Sequence, residues 1–323
     1  MTDQIRGTGA IAVDPFGGAD PVAAVLEAHD RGHRIALATS GTTTRPRVVV
    51  RTTQSWWRSF EPYGALTGVA AGARLWLPGP LTATMNLFAA VHANAVGATL
   101  ADGPADATHA CLTPAQLQRL DPSALRHARV CVAGAALPEG LTAGNTVCYY
   151  GSAELSFVAA GRHVGDLRPF PGVDVQIRDG EIWARSAYLS DGYRPGDAGP
   201  LRTDDAGYAT VGDIGAWRGD ALVVHGRPEY VTSAGATVSI AEVEAALAPH
   251  ARGAFAVFAS PHPSIGEVVA LAVTEPRDAD TLRAAAAHLL PTAMRPRRFA
   301  VLDALPLTSA GKVDRRALAR RHA

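Results

Sequence analysis

The chain lacks an excess of charge of either sign, a long apolar run, and an even set of cysteines. Its 323 residues carry 30 Lys and Arg against 30 Asp and Glu, a formal net charge of zero. No broad basic field therefore draws it to nucleic acid or to an anionic membrane. The terminal "RRALARRH" is basic, but no wider stripe accompanies it. No apolar stretch approaches the roughly 18 residues of a membrane span, and the opening "MTDQIRGTGA" lacks the basic-then-apolar pattern of a secretion signal. These absences predict a cytoplasmic protein with small-molecule partners. Cys111, Cys131 and Cys148 are odd in number, widely spaced and set in apolar strand-like runs. That pattern fits buried thiols better than disulfides or zinc ligands.

Two familiar nucleotide signatures are also missing. "GTGAIA", Gly7 to Ala12, has dinucleotide-loop spacing, but too little chain precedes it to form the strand that would aim it. "SAGKVD" has Val313 after its Gly-Lys pair and Pro306 where the Walker pattern needs its first glycine.

What is present is enough apolar content, 47%, for one large and one small domain. From Asp20, a helix N-cap followed by Pro21, helix and strand alternate: helical "PVAAVLEAH", strand "RIALA", then "RVVVRT", "ARLWLP", "HACL", "ARVCVAG" and "TVCYYG" as strands. "TMNLFAAVHANAV" and "TPAQLQRL" sit among them as helices. This predicts an α/β domain. A β-rich middle follows, with hairpin turns at Asp179-Gly180 and Gly219-Asp220. After Gly226 two helices, three strands and a basic terminal helix predict a compact α+β unit. A turn-like boundary near Pro228 separates domains 1–227 and 228–323.

The stretch "LATSGTTTRPRVVV" concentrates hydroxyls, a glycine and a cation between two strands. Thr39, Ser40, Gly41, Thr42, Thr43 and Arg47 fall within nine positions and supply what a phosphate needs: clustered N–H and O–H donors and a positive charge. A Ser/Thr-rich turn has the same letters, so the loop alone does not decide.

Six segments, in order, decide more. "TSGTTTRPR", "VAGAALP", "YYGSAEL", "YATVGDIG", "HGRPEYVTSAG" and "LPLTSAGKVDRRAL" resemble the phosphate loop, adenine-side loop, Tyr-Gly-x-Thr-Glu motif, Thr-Gly-Asp segment, hinge with its glycine loop, and lysine loop of the adenylate-forming ligases. That family comprises acyl- and aryl-CoA synthetases, amino-acid adenylation domains and luciferases. "THACLTPAQLQRL" and "DGEIWARSAYLSDGY" lean toward the o-succinylbenzoate:CoA ligase branch.

The resemblance implies an adenylate-forming α/β fold with a reduced large N-terminal α/β domain, binding ATP and the acid, and a small mobile C-terminal α+β domain. The implied reaction joins a carboxylic acid to AMP with release of pyrophosphate, then passes the acyl group to coenzyme A. A carrier-protein thiol or an amine is an alternative acceptor, and a degenerate nucleotide-binding partner is a non-enzymatic alternative. Lys312 would be the catalytic cation, a point charge on a long stem. Glu154 would act beside it as the Mg²⁺ carboxylate. Tyr150 would stack on adenine, with Gly134, Ala135 and Ala136 admitting the base edge, and Gly151 and Ser152 would flank the nucleotide. Asp213, assisted by Arg227, would take the ribose hydroxyls. Ser233, Ala234 and Gly235 would give room to a pantetheine arm. The resemblance leaves a homo-oligomer open.

The chain also departs from the pattern. Thr44 stands where the family has glycine, Arg47 where it has lysine, and Ala153 where a threonine precedes the glutamate. The hinge "GRPEYV" is one residue short and lacks the usual acidic or lysine pivot. Only 38 residues precede the phosphate loop, which predicts a truncated N-terminal subdomain. "PLTATMNLF" lacks the aromatic or histidine residue common in the acyl pocket, so the acid is not legible.

Overall fold

The computed structural model describes residues 4–7, 10–39, 47–121, 123–134, 145–226, 230–233, 236–262, 266–308 and 311–322. The chain forms two compact units, Met1–His225 and Gly226–Ala323.

The first unit is organised around a seven-stranded sheet. Arg74–Trp76, Thr99–Ala101, His109–Leu112, Arg129–Val132 and Thr146–Ser152 run parallel, and Ser156–Gly161 and Arg168–Pro169 add an antiparallel edge. Strands covered on both faces must be apolar throughout, as the buried Ala110, Leu112, Val130 and Val132 are. Cys111, Cys131 and Cys148 are buried free thiols in these strands. The strand Arg74–Trp76 has Thr99–Ala101 on one side and His109–Leu112 on the other. The chain leaves Arg74–Trp76 toward one side and leaves His109–Leu112 toward the other, so the strand order reverses between these two neighbours, a topological switch point.

Two helices fill the space against this sheet. Thr53–Thr67 begins at Thr52, whose hydroxyl accepts from the Ser55 amide, and ends on Gly68 in the left-handed region. It buries Trp56, Ser59, Phe60, Tyr63 and Thr67, a spacing of three and four that lines one helical face. Each large apolar side chain so buried is worth about 1.5–3 kcal/mol relative to exposure. The helix Thr84–Ala95 is buried continuously from Asn86 to Ala93, as a helix enclosed on all sides must be.

A five-stranded sheet pairs Gln4–Gly7, Ala10–Val13, Arg34–Thr39, Arg47–Thr52 and Gly192–Tyr193. Its first two strands are antiparallel through Gly7↔Ala10, so the described residues of the segment with dinucleotide-like spacing, Gly7 and Ala10 to Ala12, lie in paired strands. The helix Pro21–Asp30 is the crossover between the parallel strands Ala10–Val13 and Arg34–Thr39. A six-stranded sheet holds the β-rich middle. Its hairpin Asp174–Arg178 to Glu181–Arg185 turns at Asp179 and Gly180, both with positive φ, and Ile214–Arg218 to Ala221–Gly226 turns at Gly219.

The second unit is a five-stranded sheet of Ala236–Ser239, Tyr230–Ser233, Gly266–Val273, Phe255–His262 and Arg298–Val301. Period-two alternation divides its faces. Val257, Val269, Leu271 and Val273 pack toward helices Ile240–Leu247 and Pro276–Leu289. Ala256, Phe258, Ala270 and Ala272 pack with Leu305 and with Leu318 of the helix Arg315–Arg321.

Candidate functional site

Because His109–Leu112, Arg129–Val132 and Thr146–Ser152 are parallel neighbours, their carboxyl ends share one edge of the sheet. Open α/β sheets bind ligands along that edge. Thr113 and Gly134 follow the first two strands, and Tyr150, Gly151, Ser152 and Glu154 come from the end of the third. Gly134 and Tyr150 each lie two residues past the paired row Val132↔Cys148. Gly134 has φ +89°, a conformation that glycine adopts without strain. Ala135 and Ala136 lie outside the described residues.

Glu154 sits in the three-residue turn that closes the hairpin Thr146–Ser152 to Ser156–Gly161, in which Ser152 pairs with Ser156. The turn is tight. A Cβ on Gly151 would lie 1.9 Å from the Ser156 carbonyl oxygen, so only glycine fits there. The Ser152 hydroxyl accepts from the Leu155 amide at 3.0 Å, and the Glu154 carbonyl accepts from the Ser190 amide at 2.8 Å. The Glu154 side chain is 8% exposed, and its Oε1 accepts from the Tyr193 hydroxyl at 2.8 Å. Burial, then the Glu154 charge and this hydrogen bond, push the Tyr193 phenol well above its ordinary range.

Arg51 lies directly behind the turn. It is 1% exposed, and its guanidinium donates through Nε to Ser55 Oγ at 3.0 Å, through Nη1 to the Ala153 carbonyl at 3.1 Å, and through Nη2 to the Tyr188 carbonyl. Burial lowers its pKa to about 10, and the charges of Asp191 and Glu154 oppose that fall. It remains a cation at neutral pH.

Asp213, 8% exposed, stands just before the strand Ile214–Arg218. Its carbonyl accepts from Ile182 and its Oδ2 accepts from the Tyr150 hydroxyl at 2.8 Å. Two residues assigned to the same nucleotide from segments 63 positions apart therefore touch.

The phosphate-loop segment spans a hairpin whose last described pair is Thr39↔Arg47. Ser40, Gly41, Thr42, Thr43 and Thr44 lie outside the described residues, as do Arg227, Ala234 and Gly235. Arg47 begins its strand, and its charge acts on the Tyr193 phenol against the effect of Glu154. Ser233 ends the strand Tyr230–Ser233 and pairs with Ala236 and Gly266.

In the second unit, Lys312 is exposed on a braced turn. The Thr308 amide donates to the Lys312 carbonyl at 2.7 Å and the Lys312 amide to Thr308 Oγ1 at 3.2 Å. Leu307 bridges Val313, and Gly311 takes φ +74°. Immediately after the turn, Asp314 caps the helix Arg315–Arg321. Arg315 then holds both Glu244 oxygens at 2.8 and 3.0 Å and the Val257 carbonyl at 2.9 Å.

Arg51 and Tyr193 escaped the sequence reading. "RVVVRT" reads as an ordinary strand, and "DGEIWARSAYLSDGY" carries a family likeness that does not single out Tyr193. Only the tertiary fold brings Arg51 to Ala153, and Tyr193 to Glu154.

Residues 242–312 match the AMP-binding enzyme C-terminal domain. The chain is 30% identical to novobiocin biosynthesis protein H of Streptomyces niveus over 78% of its own length but only 47% of that protein's. It thus spans about half of that relative. It is 29% identical to a probable 2-succinylbenzoate–CoA ligase of Mycobacterium tuberculosis over 90% of its own length and 84% of the relative's. Its fold superposes on a variant of Escherichia coli MenE with bound OSB-AMS at a TM-score of 0.74 and 25% identity, covering 89% of this chain and 68% of that one. The fold is that of the adenylate-forming enzymes, residues 242–312 match the AMP-binding enzyme C-terminal domain, and the ordered motifs and likenesses support the adenylate-forming superfamily.

Proposed function

We propose that the protein activates a carboxylic acid with ATP and transfers the acyl group to the thiol of coenzyme A. The observation that carries this reading is the convergence of Tyr150, Asp213 and Glu154 at the carboxyl edge of the parallel sheet, with Tyr150 bonded to Asp213 at 2.8 Å. In the first step a carboxylate oxygen attacks the α-phosphorus, the bond to the bridging oxygen breaks, and pyrophosphate leaves. In the second, the thiol sulfur attacks the acyl carbonyl, the acyl–oxygen bond to AMP breaks, and the thiol proton goes to solvent.

Residues 1–227 bind ATP and the acid in this reading. Asp213 accepts from the ribose hydroxyls, Tyr150 and Gly134 bound the adenine, and Thr39 to Thr43 with Arg47 hold phosphates. Residues 228–323 supply Lys312 to the acyl–phosphate junction and turn about the short connection to exchange it for Ser233 to Gly235. Negative charge builds on the α-phosphoryl oxygens, and a fixed cation there lowers the barrier. The hydrogen bonds of the Thr308–Lys312 turn and the Arg315–Glu244 pair support a pre-set direction for the lysine stem.

Glu154 fits a magnesium site: it is a hard oxygen donor, mostly buried, with lone pairs beyond the one taken by Tyr193. Among the described residues no group of three or more His, Cys, Asp or Glu could cage a metal without substrate. Magnesium, which prefers one or two carboxylates plus phosphates, would neutralise phosphate charge when bound. Among the described residues no helix is long and apolar enough to cross a membrane, in keeping with small diffusible substrates.

ATP–pyrophosphate exchange across aromatic, short aliphatic and β-hydroxy acids tests the reading. Exchange above background with at least one acid supports it, and background exchange across the panel with folded protein and magnesium overturns it. The likeness to a solved amide bond synthetase favours one second reading, transfer to an amine, with a carrier-protein thiol as the related alternative. Product analysis with coenzyme A, carrier protein and amines separates the acceptors.

A further inference from the structure

We infer that Arg51 and Tyr193 are positioning residues that set the Glu154 carboxylate for its metal, Arg51 through the backbone and Tyr193 through the side chain. The inference rests on the reading of Glu154 as the magnesium carboxylate.

The Arg51 fork joins two chain segments that also touch at Glu154 itself. Nη1 holds the carbonyl of Ala153, the residue before Glu154, and Nη2 holds the carbonyl of Tyr188. From Tyr188 the chain runs through Ser190, whose amide donates to the Glu154 carbonyl at 2.8 Å, to Tyr193, whose hydroxyl donates to Glu154 Oε1 at 2.8 Å. The segment from Tyr188 to Tyr193 is also fixed to the strand that carries Arg51. The Asp191 amide donates to the Val50 carbonyl at 2.9 Å, and Gly192 and Tyr193 pair with Val50 and Val49. The guanidinium is therefore the common anchor of a closed ring of contacts around one carboxylate.

The geometry needs arginine. A planar fork reaches two carbonyls at once while Nε is held by Ser55 Oγ at 3.0 Å, and an ammonium cannot reproduce that spread. The Tyr193 ring is held as firmly, since a Cβ on Gly199 would lie 2.0 Å from a ring carbon. With its ring seated, the phenol O–H can fix one rotamer of Glu154. Such supporting groups around a metal carboxylate change metal affinity about 10–100-fold when altered.

The test uses the full-length chain and a non-hydrolysable α,β-methylene analogue of ATP. Its dissociation constant is measured by calorimetry with magnesium and again with EDTA, and the ratio reports metal coupling without turnover. Arg51→Lys and Tyr193→Phe are each expected to shrink that ratio by at least about tenfold, leaving the EDTA affinity near that of the parent and the melting curve cooperative. Glu154→Gln is expected to abolish the coupling. If Glu154→Gln abolishes it while Arg51→Lys and Tyr193→Phe keep the parental ratio, the inference is overturned and the role of Glu154 stands. If Glu154→Gln also keeps the parental ratio, Glu154 is not the metal carboxylate, and the inference falls with that reading. Should Arg51→Lys fail to fold, Tyr193→Phe, which keeps the ring against Gly199, decides alone.

Discussion

The Tyr150 hydroxyl donates to Asp213 Oδ2 at 2.8 Å, joining the end of a parallel strand to the segment assigned to the ribose. The bond orients the carboxylate and leaves its remaining lone pairs for other donors. Tyr150→Phe keeps the ring and loses the tether. A hydrogen bond to a charged group is worth about 1.5–3 kcal/mol, so the KM for ATP in pyrophosphate exchange is expected to rise about tenfold, with a smaller change in kcat. An unchanged KM would mean that the bond does no work in nucleotide binding.

Gly151 is under a stricter constraint than its neighbours. With Ser156 carbonyl oxygen 1.9 Å from the site of a Cβ, Gly151→Ala must open the hairpin that carries Glu154. Overpacking of this kind costs about 1–3 kcal/mol or more. Urea denaturation is expected to show that loss together with weakened exchange activity. Stability equal to the parent's would contradict the tightness of the turn.

How far the sequence foretold this site depends on how local each constraint is. The strands "HACL", "ARVCVAG" and "TVCYYG" were legible as apolar runs, and their parallel order brings Gly134, Tyr150 and Glu154 to one edge. The helix Thr53–Thr67 leaves a weaker trace in the sequence. Pro62 lies inside it and Gly64 follows, two residues of low helical preference, and burial of Trp56, Phe60 and Tyr63 outweighs them. Arg51 and Tyr193 were invisible for another reason. Their partners are 102 and 39 residues away, and no periodicity or short motif records a contact of that range. The hydroxyl-rich loop shows the converse, since its role was legible only from the motifs that follow it.

Burial makes His92 a source of acid sensitivity. The ring is fully buried on the helix Thr84–Ala95, edge-on to Phe60 and Tyr63 at 5.2 and 4.9 Å. Desolvation lowers its pKa to about 4, with a backbone contact at Phe60 opposing the fall. The unfolded chain therefore binds a proton near pH 6.5 that the folded chain refuses until about pH 4. The contribution is fully present above pH 6.5 and is lost as pH falls toward 4, a total of about 3 kcal/mol at 1.36 kcal/mol per unit. His29 and His109 are shifted in the same direction by burial and add to the slope. Urea titrations from pH 8 to pH 4 should show the decline, and His92→Phe should flatten it. An equal slope in the variant would refute the assignment.

Arg315 braces the lysine turn from the helix that follows it. Its double contact with Glu244 is only part-buried, so the pair is worth about 1 kcal/mol or less to stability. Arg315→Met is expected to lower the melting temperature slightly but to reduce the exchange rate several-fold, by letting the Thr308–Lys312 turn move. A rate loss no larger than the stability loss would assign Arg315 to folding alone.

Lys312 carries the central claim. Pyrophosphate exchange by Lys312→Ala, with the best acid from the panel, is expected to fall by at least about a hundredfold, because a fixed charge-stabilising donor contributes about 10²–10³ to rate. Nucleotide affinity measured by calorimetry should stay within about threefold of the parent's. An exchange rate equal to the parent's, with nucleotide bound as before, would contradict adenylation by this lysine.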